Sequence, residues 1–157
     1  MRGYVIHRHK KGLVSFLIRI ITGSWTSHTG VILESWGTLF VIEADKGSVI
    51  ATPLNYWVKD CKYVLQNFHL TGKQLEHLSI LAMQKCGTPY DYKNTVLQQL
   101  IKRLFGVWTG NSKGFAASKF NCSEFTAWLL NQVGIKFENW EQITPGEILK
   151  DKRGTII

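Results

Sequence analysis

Cys122 is the cysteine whose sequence position best suits a nucleophile. Asn121 is favoured immediately before a helix, and Glu124 follows it by three positions, as in a capping box. This pattern predicts that Cys122 lies in the first turn of a helix, where free amides and the helix dipole stabilise a negative charge on sulfur. The same amides can donate to the oxyanion of a tetrahedral intermediate. Position alone also fits a buried cysteine that only packs, so both interpretations stay open.

The other two cysteines lack this setting. Cys61 falls at the predicted start of a strand, and Cys86 falls near the end of a predicted helix, where the dipole disfavours a thiolate. We interpret both as packing residues. Three cysteines without a C-x-x-C pair do not indicate a disulfide framework or a zinc site, and His7 and His9 lack a matching pair of ligands. The sequence therefore predicts no metal and no cofactor.

His28 is the histidine best placed to act as the base for this thiol. It opens an apolar strand, and its neighbours Ser27, Thr29 and Gly30 are small, which leaves room for a substrate. A thiolate nucleophile needs such a base because the leaving group must receive a proton. We therefore predict a Cys122–His28 pair.

Glu43 is the predicted partner that orients His28. Two apolar runs, 29–34 and 38–44, indicate a β-hairpin. A two-residue turn that starts after position 34 would place His28 opposite Glu43 on one face of the sheet, whereas other turns shift the register by one or two residues. An acid within an apolar strand usually has a partner. The alternative is a carboxylate that faces outward from a sheet edge.

The elements that must position these residues follow from hydrophobic periodicity and turn signals. The further predicted strands lie at 4–6, 48–52 and 61–68, and the predicted helices at 13–21, 71–86, 96–104 and 121–134. Thr71 and Gln74 form a second capping-box pattern. The segment 106–120, rich in Gly and Ser, is interpreted as a loop or a lid. The result is an α+β fold with an antiparallel sheet packed against helices, in one domain over 1–157.

The predicted helix at 13–21 has two interpretations. Its apolar positions recur at helical spacing, at Leu13, Phe16, Leu17 and Ile20. It can pack on the core, or it can lie on a membrane surface with help from Lys10, Lys11 and Arg19. It is too short to span a bilayer and lacks a signal-peptide cleavage site. We expect a cytoplasmic protein on this basis, with peripheral membrane attachment or export by another route as alternatives.

The net charge of +8 favours acidic partners, which include nucleic acid, anionic lipid and anionic cell-wall polymer. A soluble basic protein is the alternative. The basic residues are scattered along the chain and accompany no nucleic-acid motif, so no specific nucleic-acid partner is predicted. The sequence does not predict an oligomeric state.

Several segments together resemble the circularly permuted NlpC-like papain fold, and within it the YiiX/YebB-like hydrolases. The resemblance runs from about Gly12 to Leu149 and rests on SHTGVIL, VIEADKGSVIATPLNYW, PYDY, NCSEFTAWLL and TPGEIL. In that family a helix carries the nucleophilic cysteine and packs on a sheet that carries the histidine and the acid. The permutation places the histidine before the cysteine in the chain. The resemblance therefore implies a triad of Cys122, His28 and Glu43.

The segment NCSEF also resembles lecithin retinol acyltransferase-like proteins, which share the permuted fold. Those proteins tend to use a second histidine as the third member of the triad. This chain instead has Phe40 near the expected place and Glu43 close by. That difference favours the hydrolase group.

The resemblance implies a cysteine amidase or peptidase that works through an acyl-thioester on Cys122. The expected substrate-binding residues are Tyr90 of the PYDY segment, Trp25, Ser27 and Ser123, with Trp57 and Trp108 as further candidates for the pocket wall. Tyr90 can line the cleft, help to hold the oxyanion, or simply pack at a helix junction. Two alternatives keep the fold: a lipid acyl hydrolase or acyltransferase at a membrane surface, and a catalytically silent binding module. Cell-wall peptide, isopeptide and acyl lipid all remain open as substrates.

Overall fold

An antiparallel sheet of six strands forms the centre of the structure, a computed structural model that describes residues 2–45, 47–92, 98–107 and 117–157. In chain order the strands are β1 Val5–Arg8, β2 His28–Ser35, β3 Thr38–Asp45, β4 Ser48–Pro53, β5 Tyr63–Asn67 and β6 Thr155–Ile156. Across the sheet their order is β4-β3-β2-β1-β5-β6. The strand that begins with His28 is therefore an inner strand, and the predicted α+β fold is confirmed.

Helices connect the strands and cover the sheet. They are α1 Leu13–Thr22, α2 Leu54–Trp57, α3 Gly72–Gln84, α4 Gln99–Phe105, α5 Cys122–Gln132 and α6 Pro145–Leu149. Both predicted capping boxes form, one at the start of α3 and one at the start of α5. The sequence analysis missed α2 and α6, although Thr144 and Glu147 make a third capping box before α6. Within the part of the chain that the structure describes, none of the helices has the length and hydropathy of a membrane span.

Some predictions fall on residues outside the described ranges. The helix predicted at 96–104 is described only from residue 98 onward, where it includes α4. Most of the loop or lid predicted at 106–120 lies outside the described residues, and so does Trp108.

The predicted hairpin between β2 and β3 forms, but its register differs by two residues from the one expected. Ser35 pairs with Thr38, so the turn consists of Trp36 and Gly37. Both turn residues have positive φ angles, +53° and +73°, as a type I′ turn requires. A glycine adopts such an angle easily, so Gly37 explains why the turn forms at Trp36 and Gly37. His28 therefore does not stand directly opposite Glu43. Because the shift is an even number, the two side chains still share a face.

Gly30 occupies the place across from Glu43 in this register. A Cβ atom at residue 30 would lie 3.2 Å from the Cβ atom of Glu43 and 2.6 Å from Cγ1 of Val41. From the sequence, Gly30 is predicted to leave room for a substrate. The structure shows instead that strand β3 fills this space, so the glycine lets β2 and β3 approach each other.

The two faces of the sheet are covered unequally. One face packs against α5 in the larger core, to which Val31 and Ile42 contribute. The other face carries a smaller cluster of Ile6, Ile32, Val41 and Trp57. Side chains two positions apart along a strand share a face. His28 and Glu43 therefore lie on the face with the smaller cluster, and His28, as the first residue of β2, lies at the end of the sheet.

A second histidine, His7, is fully buried in β1. Its Nε2 atom is 2.9 Å from Oε1 of Gln66, whose side-chain amide donates to the backbone oxygens of Ile148, Leu149 and Asp151. Burial lowers the pKa of His7 to about 4, and the hydrogen bond to Gln66 opposes this only in part. His7 is therefore neutral in the folded protein at neutral pH.

Acidification from pH 6.5 to pH 4 is expected to lower the free energy of unfolding. In this window the unfolded chain protonates His7, with an ordinary pKa of 6.5, while the folded chain does not. The expected loss is about 3 kcal/mol. Urea unfolding at several pH values measures it, and a His7→Asn variant should show a shallower loss in the same window. Equal slopes for variant and wild type would contradict this assignment.

Candidate active site

Cys122 is the first residue of α5, as the sequence predicts. The Asn121 side chain accepts a hydrogen bond from the amide of Glu124 (3.0 Å), and a Glu124 carboxylate oxygen accepts one from the amide of Asn121 (3.0 Å). The amide of Phe125 donates to the carbonyl of Asn121. The amides of Cys122 and Ser123 lie in the first turn of α5, where amides have no carbonyl partner within the helix. They could therefore donate to an oxyanion that forms next to the sulfur.

The structure brings the three predicted side chains together. Nε2 of His28 hydrogen-bonds Oε2 of Glu43, and Cys122 lies close enough to His28 to act on its pKa. Because Glu43 takes Nε2, the nitrogen left for the thiol is Nδ1. Burial alone would lower the pKa of His28. The charge of Cys122, together with the hydrogen bond and charge of Glu43, outweighs burial and raises this pKa to about 9. The imidazole is therefore protonated at neutral pH.

Glu43 is buried and accepts hydrogen bonds at both carboxylate oxygens. Trp57 Nε1 donates to Oε2 at 2.6 Å, and Thr52 Oγ1 donates to Oε1 at 2.8 Å. Burial would raise the pKa of Glu43, but the hydrogen bond and charge of His28, followed by these two donors, lower it to about 2. The carboxylate is therefore charged and fixed in orientation at neutral pH.

Arg8 and Trp57 extend this cluster, and the sequence analysis missed both roles. The guanidinium of Arg8 lies 4.0 Å above the Trp57 ring, donates to the Trp57 carbonyl at 2.7 Å and approaches Glu43 Oε2 to 3.6 Å. The Trp57 ring also stacks on His28, with 6.0 Å between centroids. Arg8 pairs with His28 across β1 and β2. Arg8 could have been identified from the sequence only if the pairing of β1 with β2 had been predicted.

Two of the predicted substrate-binding residues, Ser27 and Ser123, have buried side chains with partners inside the protein. The Ser27 hydroxyl accepts from the amide of Lys10 at 3.1 Å and hydrogen-bonds the Ser15 hydroxyl of α1. The Ser123 hydroxyl donates to the carbonyl of Ile143 at 2.7 Å. Their contacts with substrate remain predictions.

The two predicted aromatic residues lie in different surroundings. Trp25 is partly exposed and meets the edge of His9. Tyr90 is half-buried beside Tyr92, at 4.8 Å between ring centroids, and packs against the larger core. Its backbone forms a bridge with Phe120, two residues before the first residue of α5. A role for Tyr90 at the oxyanion remains a prediction.

The sulfur of Cys122 is covered in this structure. Cys122 is 3% exposed, and the crevice above it, of about 10 Å³, is lined by Ile18 and Thr22 of α1, Gln99 of α4 and Thr144 before α6. A cavity of this size barely admits one water molecule. A larger cavity of about 430 Å³ lies beside Glu43 and is lined by Arg8 and other charged side chains. Substrate must therefore displace part of the cover to reach the sulfur.

His28, Glu43 and Asp45 place potential metal-binding atoms within 4.8 Å of one another. The arrangement does not fit a divalent cation. Lys10 Nζ bonds both oxygens of Asp45, at 2.7 and 2.6 Å, and Arg8 stands beside Glu43. Two cationic side chains thus already neutralise the acids, and Glu43 Oε2 is taken by His28 and Trp57.

Comparisons with known proteins identify a family and a fold. Residues 2–156 match a family described as permuted papain-like amidase enzymes, YaeF/YiiX, C92 family. The structure is also similar to the crystal structure of metalloprotein yiiX from Escherichia coli O157:H7. The TM-score is 0.65 and the sequence identity 21%, over 100% of this chain and 96% of that chain, and this similarity shows the fold. A search of curated proteins found no match.

Proposed function

Because this chain belongs to the family of permuted papain-like amidases and is therefore a papain-like cysteine hydrolase, we propose that it cleaves an amide through an acyl-thioester on Cys122. The nucleophile is Cys122, the general acid and base is His28, and Glu43 orients the imidazole. The substrate class is a peptide or another acylated amine, with cell-wall peptide and isopeptide as the candidates.

The reaction follows from the order of the three groups. The Cys122 thiolate attacks the carbonyl carbon, and the oxyanion accepts hydrogen bonds from the amides of Cys122 and Ser123. The His28 imidazolium gives its proton to the departing nitrogen, so the amine leaves and the thioester forms. Neutral His28 then takes a proton from water, the hydroxide attacks the thioester, and the acid and the Cys122 thiolate are released.

One observation carries this proposal: His28 hydrogen-bonds Glu43 and lies next to Cys122, and together these two groups raise its pKa to about 9. An amide differs from an activated ester in that its nitrogen must be protonated in order to leave. A protonated imidazole held next to the thiolate provides that proton before the chemistry begins. The arrangement therefore favours amide cleavage.

Alkylation with iodoacetamide tests the nucleophile. At pH 6 the labelling rate of Cys122 is expected to depend on His28, the base that the scheme places next to the thiol, whereas the rate of Cys86, which lies beyond the end of α3, is not. In a His28→Ala variant the Cys122 rate should fall about tenfold or more, and the Cys86 rate should not change. Mass spectrometry of the adducts measures both rates.

The comparison between wild type and the His28→Ala variant does not depend on how often the site opens, because the residues that cover Cys122 are unchanged. A Cys122 labelling rate that is the same in wild type and in the His28→Ala variant would count heavily against the scheme.

An acyl lipid is the second candidate substrate. The same thiolate chemistry would release the acyl chain to water or transfer it to an acceptor. The observation that favours it is the exposure of the apolar side chains of α1, the helix that covers Cys122. Assays of the purified protein against peptidoglycan fragments and against acyl lipids, with Cys122→Ala as control, separate the two substrate classes.

A further inference from the structure

The outer side of α1 is apolar and faces solvent. Four side chains on this side, between 36% and 73% exposed, are Leu13, Phe16, Leu17 and Ile20. They are the same four positions whose spacing the sequence analysis identified, and they do not pack on the core. Apolar side chains gathered on one exposed face indicate an interaction surface.

Helix α4 adds further exposed apolar side chains next to α1. It packs beside α1, where Nη1 of Arg103 comes to 4.0 Å from the place that a Cβ atom at Gly23 would take. Its exposed apolar side chains, together with the residue two positions beyond its end, are Leu100, Leu104, Phe105 and Val107. We call these four and the four of α1 the α1–α4 face.

The charged residues of α1 and α4 are all basic. Neither α1 nor α4 contains an acidic residue. The basic residues within and next to the two helices that can face a membrane are Lys11, Arg19, Lys102 and Arg103, whereas Lys10 is paired with Asp45. An apolar face with basic side chains around it complements an anionic lipid surface. With ten residues, α1 has a length of about 15 Å, which suits a helix that lies in the plane of the interface.

The inner side of α1 covers the nucleophile. Ile18 and Thr22 line the crevice above Cys122, and Ile21 is also buried. The helix lies between two glycines with positive φ angles, Gly12 at +122° and Gly23 at +61°. The same helix, α1, therefore exposes apolar side chains to solvent on its outer side and covers Cys122 with its inner side.

We propose that the α1–α4 face docks on an anionic lipid bilayer and that docking moves α1 away from Cys122. In water, such a movement would expose Ile18 and Ile21, which costs free energy. On a bilayer the outer side chains of α1 can sink deeper into the acyl boundary as the helix leaves the protein body, and this gain offsets the cost, so the open state gains population. The inference deepens the proposed function, on which it rests for the identity of the reactive thiol.

Vesicle sedimentation with the full chain tests docking. Vesicles of phosphatidylglycerol and phosphatidylcholine should pellet the protein at low salt, and vesicles of phosphatidylcholine alone should pellet much less. A Leu13→Gln/Phe16→Gln/Ile20→Gln variant is expected to lose about tenfold or more in binding. The matched control is Ile80→Gln/Met83→Gln on α3, where both apolar side chains are also exposed. Glutamine is a good helix former, so neither variant should unfold its helix.

A second pair of variants tests the contribution of basic side chains to vesicle binding. Lys11→Gln next to α1 should weaken binding to the anionic vesicles, whereas Lys73→Gln on α3 should not. Equal binding to neutral and anionic vesicles, or equal loss in both members of either pair, would overturn the choice of an anionic bilayer.

Alkylation of Cys122 tests the movement of α1. Saturating anionic vesicles should raise the iodoacetamide rate at Cys122 about tenfold or more, while exposed Cys86 serves as an internal reference that stays constant. If the protein sediments with the vesicles but Cys122 does not react faster with iodoacetamide, the proposed movement of α1 is wrong. The dependence of Cys122 labelling on His28 is measured without vesicles, so failure of the membrane inference and failure of the proposed function give different results.

Discussion

Replacing Cys122 with alanine is expected to abolish amide cleavage and to lower the pKa of His28 from its wild-type value of about 9. Without the sulfur no acyl-thioester forms, and the rate should fall by at least about 10⁴-fold. The charge of Cys122 is the largest of the contributions that raise the His28 pKa. When it is removed, Glu43 alone opposes burial. An amidase assay and an NMR titration of the His28 ring measure the two effects.

Cys86→Ala is the matched control for this variant, because Cys86 lies beyond the end of α3 and is exposed. It should change neither the cleavage rate nor the titration of His28. A Cys122→Ala variant whose His28 titrates as in wild type would show that the thiol and the imidazole do not form an ion pair. Residual cleavage near the wild-type rate would show that another residue is the nucleophile.

Replacing Glu43 with alanine is expected to reduce both stability and activity. The change leaves His28, Trp57, Thr52 and Arg8 without the acceptor that they share. Removal of one partner from a buried ion pair costs about 3–5 kcal/mol of unfolding free energy. The imidazole also loses its orientation, so kcat/KM should fall by about 10³-fold. Urea unfolding and the amidase assay measure the two losses.

The stability loss in Glu43→Ala should depend on pH. The folded-state pKa of Glu43, about 2, lies below its ordinary value of 4.5, so its contribution is fully present above pH 4.5 and is lost as the pH falls toward 2. The difference between wild type and variant should shrink over that window. A difference that stays constant down to pH 2 would contradict a charged, hydrogen-bonded Glu43.

Two further variants separate charge from hydrogen bonding at this position. Glu43→Gln keeps the shape and one acceptor oxygen but removes the charge, so the pKa of His28 should fall while the fold persists. Trp57→Phe keeps most of the ring that stacks on His28 and removes the Nε1 donor. Both should lose less activity than Glu43→Ala.

The sequence was most informative where a local signal set the geometry. Asn121 and Glu124 predicted the helix start that presents Cys122, because a capping box needs residues only three positions apart. The hairpin was harder. The turn was placed one residue too early, yet His28 and Glu43 met because a shift by two residues keeps side chains on the same face.

Other features depend on contacts that no local pattern encodes. Arg8 reaches Glu43 because β1 pairs with β2, and Trp57 reaches it from a helix of four residues. Periodicity located the apolar stripe of α1 but does not say whether such a stripe points inward or outward. Its direction follows from the tertiary arrangement, in which the opposite side of α1 lies over Cys122.

The thiol and its base rest on different layers of the protein. Helix α5 packs on one face of the sheet, whereas His28 and Glu43 lie on the other face against Trp57. Because the charge of Cys122 is the largest contribution that raises the pKa of His28, a change under α5 that moves the sulfur also changes the proton affinity of the imidazole. Substitutions in the two layers should therefore have non-additive effects, since they act on groups in direct contact.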